Sequence, residues 1–294
     1  MDLSDKTELT WLADLTADLR EAAPAYEPLV AGAMARDLLL HYGRDVRISR
    51  ATADVDLAFA VRDWDEFKTL REGLLASSYF VAGMPTHRLV HRGRLPVDLI
   101  PFGGVERPDG NIVWPDDGGV MGVLGYREAW DCGIEILLPN NVTLRSVSLP
   151  MLAVLKLLAW NERHILVPRK DASDFFLILE SYLKGGNDDR LYSEAGHLLE
   201  AEDFDYESAG AWLAGHDACH CILVCSKQPT RVLDDVDKIL AIESDPNGRI
   251  QLIGEMGAQA DRCLLLIGQF RQGLRSQGSL VVDDWGKGGA GINS

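Results

Sequence analysis

Long apolar runs are missing from this 294-residue chain. None approaches the ~18 residues that a bilayer-spanning helix needs. The opening segment, Met1-Asp-Leu-Ser-Asp-Lys6, lacks the basic-then-apolar order of an export signal. Cysteine is scarce, and Cys132, Cys219, Cys221, Cys225 and Cys263 do not suggest a disulfide framework. Together these absences lead us to expect a cytoplasmic protein with no membrane role. Positive charge is short as well: 29 Lys and Arg stand against 45 Asp and Glu, a formal net charge of −16. That argues against a broad, charge-driven nucleic-acid surface. It leaves room for local basic clusters, one at Arg44, Arg47 and Arg50, another at His87, Arg88, His91, Arg92 and Arg94. No internal repeat is visible. With 47% hydrophobic and 25% charged residues the composition is that of an ordinary globular chain, long enough for one large or two medium domains.

What is present centres on the stretch from Val30 to Leu57. Leu29-Val30-Ala31 reads as a short strand, Gly32 as a turn, and Ala33 to Tyr42 as a helix with Gly43 at its stop. A glycine turn at a helix start leaves backbone N–H groups free to cradle a phosphate. Asp54-Val55-Asp56-Leu57 then opens a second strand. Side chains two apart on a strand share a face, so Asp54 and Asp56 project together while Val55 and Leu57 face the core. Paired carboxylates repel unless a cation lies between them, and a hard divalent metal is the usual one. A later apolar strand, Leu95 to Phe102, carries Asp98 in its middle. An acid there needs a partner. Either Asp98 joins the other two around metal, or a nearby arginine holds it.

The ordered set Gly32-Ala33, Asp54-x-Asp56 and Asp98 resembles the nucleotidyltransferase superfamily with the polymerase-β-like palm. Thr52-Ala-Asp54-Val-Asp56, with Lys156 to Arg163 and Arg169-Lys-Asp171-Ala-Ser-Asp174, looks most like its AbiEii/AbiGii toxin-type branch. The resemblance spans about residues 28 to 180. It implies two Mg²⁺ ions held by Asp54, Asp56 and Asp98, with an NTP as substrate. It implies phosphate contacts from Gly32, Ala33 and Arg36, the last of which could instead reach Asp37. Lys156 would contact the phosphates, the alternative being a surface lysine on an amphipathic helix. Asp171 or Asp174 would support the site, the alternative being charge that complements a helix N-terminus. Thr52 would orient the Asp54 backbone or be an ordinary loop threonine. One departure matters: the family usually has Ser where this chain has Ala33, which removes one hydroxyl donor to phosphate.

The rest of the chain frames this set. Leu9, Leu12, Leu15 and Leu19 mark a helix ended by Pro24. Asp63 and Glu66 form a capping pair for a helix reaching about Ala76. Phe80 begins an edge strand, and His87–His91 pairs with the Asp98 strand across a tight Arg92-Gly93-Arg94 turn. Residues 103–125 read as a long loop placed to act as a lid. Ile134–Leu138 and Val142–Val147 form a hairpin around Pro139-Asn-Asn141. From Leu149 the pattern is helical, with one helix starting after Ser148-Leu-Pro150 and interrupted by Pro168, the next over Asp171 to Leu183, and further ones near 190–201, 206–226, 230–242 and 248–275. His216, His220, Cys219, Cys221 and Cys225 lie on one predicted helix. A tetrahedral zinc site needs ligands from separated segments, so this run reads first as a helix packed through small polarizable residues.

The expected fold is α+β: a nucleotidyltransferase palm, a mixed β-sheet flanked by helices, over residues 1–147. An α-helical domain follows over 148–285 and a flexible tail over 286–294, with the site between the two domains. The expected activity is Mg²⁺-dependent transfer of an NMP from an NTP to an acceptor hydroxyl on RNA, especially a tRNA end, or on protein. The resemblance adds a possible antitoxin partner. The alternatives are an antibiotic-type transferase acting on a small molecule and a non-catalytic module that binds nucleotide or a partner.

Overall fold

The computed structural model describes residues 1–48, 52–200, 204–241 and 246–276, without the side chains of 246–250. Arg50 and the tail over 286–294 lie outside the described residues. The chain divides into two compact units, Met1–Glu162 and a second from Arg163 onward. The sequence suggested a division after Val147, where the helical pattern begins. The boundary falls later because helix α5 (Leu149–Arg163) belongs almost wholly to the first unit.

The first unit is α+β. Helix α1 (Thr10–Ala22) leads to β1 (Leu29–Ala31), then α2 (Gly32–Arg36), which widens without a break into a π-helix over Asp37–Tyr42. Strand β2 (Val55–Val61), helix α3 (Trp64–Ala76), and strands β3 (Phe80–Ala82), β4 (Arg88–His91) and β5 (Leu95–Gly103) follow. The sheet is completed by β8 (Ile134–Leu138) and β9 (Val142–Ser146), giving the order β3-β4-β5-β2-β1-β9-β8. It is mixed: β2–β5 and β1–β9 run parallel and the other neighbours antiparallel. Its middle strands read as nearly continuous apolar runs because both faces are covered. Val30, Leu57, Phe59, Leu99 and Phe102 are all buried, and Leu12, Leu15 and Leu19 of α1 are buried too. Asp56 interrupts this run only where β2 meets the glycine turn.

Residues 103–125 are not a plain loop. They contain a two-stranded ribbon, β6 (Asn111–Val113) with β7 (Val120–Gly122), before α4 (Tyr126–Asp131). The ribbon strands are three residues each, too short for a period-2 signal to rise above the surrounding Gly, Pro and Asp.

The second unit is helical: α6 (Lys170–Ser181), α7 (Asp188–Ser193), α8 (Tyr206–Cys225), α9 (Pro229–Leu240), α10 (Pro246–Met256) and α11 (Ala260–Arg275). The single helix expected over 248–275 is two, because Gly257 adopts φ +81 and breaks the ladder. The helix expected near 190–201 is likewise split into α7 and a 3₁₀ turn at Gly196–Glu200. Helices α8 and α11 cross backbone to backbone. A Cβ on Gly273 would lie 1.9 Å from the Trp212 carbonyl oxygen, and one on Gly215 would lie 2.0 Å from that of Phe270. The close approach requires glycine at both positions, and Cys219 on the same helix as Gly215 is a free, buried cysteine. Among the described residues no helix is long and apolar enough to cross a membrane.

Candidate functional site

Of the three acids expected to converge, Asp56 and Asp98 lie on adjacent strands. Asp56 and Asp98 are direct partners in the parallel β2–β5 register, with Val55 opposite Val97 and Leu57 opposite Leu99. Asp54 stands one residue before β2 begins. On the other side of Asp56, β1 places Ala31 in register with it, so Gly32 follows immediately beside the carboxylate. Gly32 has φ +61, and a Cβ there would meet Asp56 Oδ2 at 1.8 Å. Glycine is therefore demanded twice, by the left-handed backbone and by the space the Asp56 carboxylate fills. Ala33 is buried in the first turn of α2.

A fourth residue completes the set. The β4–β5 register puts Arg88 opposite Asp98. Its Nε donates to Asp98 Oδ1 at 2.7 Å and its Nη2 to Asp98 Oδ2 at 2.7 Å, a two-point fork. The same Nη2 donates to Asp54 Oδ2 at 3.2 Å. These hydrogen bonds to Asp98, with the charges of Asp98, Asp54 and Asp56, hold the guanidinium pKa above its already high value. Arg88 is fixed from behind by a turn: Gly83 N–H donates to the Arg88 carbonyl at 2.9 Å, and Arg88 N–H to the Pro85 carbonyl at 2.9 Å. Arg71 of α3 braces the turn through the Thr86 carbonyl at 2.9 Å. Beside it, the His87 ring stacks on Trp114 with centroids 4.8 Å apart, and burial pushes the imidazole pKa down.

Sequence reasoning counted Arg88 only as one of a basic run. The signal was available: with His91 opposite Leu95 across the turn, counting three residues back and three forward pairs Arg88 with Asp98.

Of the remaining expected residues, Arg36, Thr52 and Asp171 have other partners, and Lys156 and Asp174 are buried. Arg36 is buried and its Nε donates to Asp37 Oδ1 at 2.8 Å, so of its two expected partners the carboxylate takes it. Thr52 donates its hydroxyl to Asp37 Oδ2, not to the backbone of Asp54. The buried Asp37 attracts it because a buried carboxylate needs every donor within reach. Lys156 is 3% exposed on α5, which removes the surface-lysine alternative. Asp171 belongs to the second unit, where Arg163 Nε and Nη2 hold it at 2.8 and 3.1 Å. Asp174 is buried on the same helix. His91 is buried against Asp18, Nε2 to Oδ2 at 2.7 Å, a structural pairing that Arg92 shares.

The His and Cys run of α8 gathers no cysteine ligands. His216 stacks on Trp212 with centroids 5.3 Å apart. Among the described residues, the acidic and histidine ligand atoms that come within 4.8 Å of one another are those of Glu194, His216 and Asp217. That group already has its cation: Arg190 donates through two nitrogens to Asp217, both at 2.6 Å, and through two to Glu194.

The chemistry of Asp54, Asp56 and Asp98, three hard oxygen donors, suits Mg²⁺. As it stands, Arg88 takes both oxygens of Asp98 and one of Asp54, and among the described residues the ligand atoms of the three acids do not all come within 4.8 Å of one another.

Compared with models of known protein families and with curated proteins, the chain matches none. Among solved structures it is similar to the antibiotic-resistance factor ANT(2'')-Ia, at 16% identity and a TM-score of 0.35. The match covers 65% of this chain and 99% of that one. At that level of likeness the functional reading rests on the chain's own geometry.

Proposed function

We propose that the chain transfers a nucleoside monophosphate from an NTP to an acceptor hydroxyl and releases pyrophosphate. The observation that carries this reading is the packing of Asp56 into the glycine turn at the start of α2, in register with Asp98. It sets free backbone donors at a helix start beside carboxylates, which are the parts that hold a triphosphate and accept the proton of an attacking hydroxyl. In the transfer the acceptor oxygen bonds to the α-phosphorus, the bond to the β-phosphate oxygen breaks, and the hydroxyl proton leaves to a carboxylate. Asp98 is the acid we assign to that proton. A divalent ion held by Asp54, Asp56 and Asp98 would screen the triphosphate charge. Asp171 and Lys156 receive no step, one being held by Arg163 and the other buried.

For the acceptor, the toxin-type resemblance favours a tRNA end or a protein hydroxyl, with an antitoxin-like protein as partner. The net charge of −16 favours a small footprint on RNA. A small-molecule acceptor of the antibiotic type is the enzyme alternative. Metal-dependent NTP consumption should be seen in wild type and be lost in Asp54→Ala and Asp56→Ala. Equal consumption in all three would remove the mechanism. Mass spectrometry of tRNA, protein and aminoglycoside mixtures after incubation with labelled NTPs then identifies the acceptor.

A second reading, a nucleotide-binding or partner-binding module without turnover, is favoured by Arg88, which already occupies oxygens of Asp98 and Asp54, and by Ala33 in place of serine. Calorimetry showing NTP affinity with no product on any acceptor would select it.

A further inference from the structure

The mismatch between a donor set suited to a divalent ion and an arrangement filled by an arginine has a direct physical resolution. Arg88 engages both oxygens of Asp98 and one of Asp54. Those are oxygens that a hard cation would use. A guanidinium and a divalent ion of like sign cannot share them without strong repulsion at such separations. With three carboxylates and one guanidinium, the group still carries excess negative charge, so it continues to attract cations while Arg88 is in place. The arginine is also not walled in. Its side chain is 32% exposed, against 14% for Asp98. Its backbone is held by the Gly83–Arg88 turn, whereas its outer atoms contact only the acids among the bonds described above.

We infer that Arg88 and a divalent cation are alternative occupants of the Asp54–Asp98 carboxylates, so that metal entry requires the guanidinium to leave. Arg88 is then a positioning residue that sets how tightly the site takes metal. No covalent bond is made or broken in this exchange; one cation replaces another. The inference deepens the transferase reading, but it concerns metal affinity and not turnover.

The test is Mn²⁺ binding without nucleotide, followed by electron paramagnetic resonance, in wild type, Arg88→Gln and the double variant Arg88→Gln/Asp54→Asn. Arg88→Gln should bind Mn²⁺ at least ~10-fold more tightly than wild type, since removing the guanidinium frees the oxygens of Asp98 and Asp54 for the ion. The double variant should lose the gain, which separates this site from the Glu194–His216–Asp217 group. Unchanged or weaker binding in Arg88→Gln would overturn the inference. If Arg88→Gln does not fold, the wild-type protein serves. The arginine Nε–H signal assigned through Arg88→Lys should shift in a saturable way on adding Mg²⁺, and a signal that stays fixed up to millimolar Mg²⁺ overturns the inference. Tighter Mn²⁺ binding with no NTP consumption would leave the exchange standing and remove the transferase reading. NTP consumption without the affinity gain would do the reverse.

Discussion

The Asp56 carboxylate fills the space where a side chain on Gly32 would begin: a Cβ there would stand 1.8 Å from Oδ2. Gly32→Ala therefore costs twice. The left-handed backbone penalises any L-residue by about 1–2 kcal/mol, and the methyl group displaces Asp56 from its register position beside Asp98. We expect a lowered denaturation midpoint together with loss of NTP binding, read by urea titration and calorimetry. Retained nucleotide affinity with lowered stability would separate the glycine from the site.

Thr52 tests which group the loop before β2 serves. Its hydroxyl goes to the buried Asp37, which also holds Arg36. Thr52→Val should destabilise the first unit by about 2 kcal/mol, the usual loss for a hydrogen bond to a charged group. Mn²⁺ affinity at the acids should remain that of wild type. A change in metal affinity without a change in stability would show that Thr52 acts on Asp54 after all.

In the second unit, acid should weaken the fold through Asp217. Burial pushes its carboxyl upward, but hydrogen bonds from Arg190 and Tyr182 and the arginine's charge outweigh that, and the group titrates below the usual carboxylate value. A carboxylate whose folded pKa is depressed contributes stability above its unfolded pKa of ~3.9 and loses it as pH falls through the folded value. Denaturation midpoints should therefore drop below about pH 4, and Asp217→Asn should flatten that drop while lowering stability at pH 7. A variant with the wild-type acid profile would assign the loss to other carboxylates, such as Asp237 between Arg271 and Arg275.

The crossing of α8 and α11 gives a further expectation. Gly273→Ala places a methyl group 1.9 Å from the Trp212 carbonyl oxygen, a backbone atom that cannot turn aside. Overpacking of this kind costs roughly 1–3 kcal/mol. Guanidinium denaturation of Gly273→Ala should show it, and Gly268→Ala, where nothing lies within 4 Å, should be neutral or stabilising.

These cases also show what could be read before the structure. The Gly32 turn, the β2 and β5 strands and the Arg92-Gly93 hairpin were legible because apolar runs bounded by turn residues are local signals. Arg92 and Gly93 both take positive φ at the centre of the turn that Arg94 N–H closes on the His91 carbonyl. The direct pairing of Asp56 with Asp98 was only an expectation, since a parallel register is set by the crossover between two strands that are far apart in sequence. Arg88 went unassigned for a different reason. Hairpin counting would have placed it opposite Asp98, but an arginine in a basic run draws no notice until a carboxylate lies across from it. The bond from Thr52 to Asp37 was not foreseen, and of the two partners open to Arg36 the sequence could not choose, because the burial of Asp37 depends on packing that composition does not carry.

The central claim is that Asp54, Asp56 and Asp98 form one cation site beside the Gly32 turn. A crystal soaked with Mn²⁺ and a non-hydrolysable NTP tests it most directly, through the anomalous signal of the metal. The account predicts a peak coordinated by oxygens of these three acids, with the Arg88 guanidinium turned away and the phosphates against the first turn of α2. Mn²⁺ bound elsewhere, or Arg88 still forked onto Asp98 with nucleotide present, would contradict it.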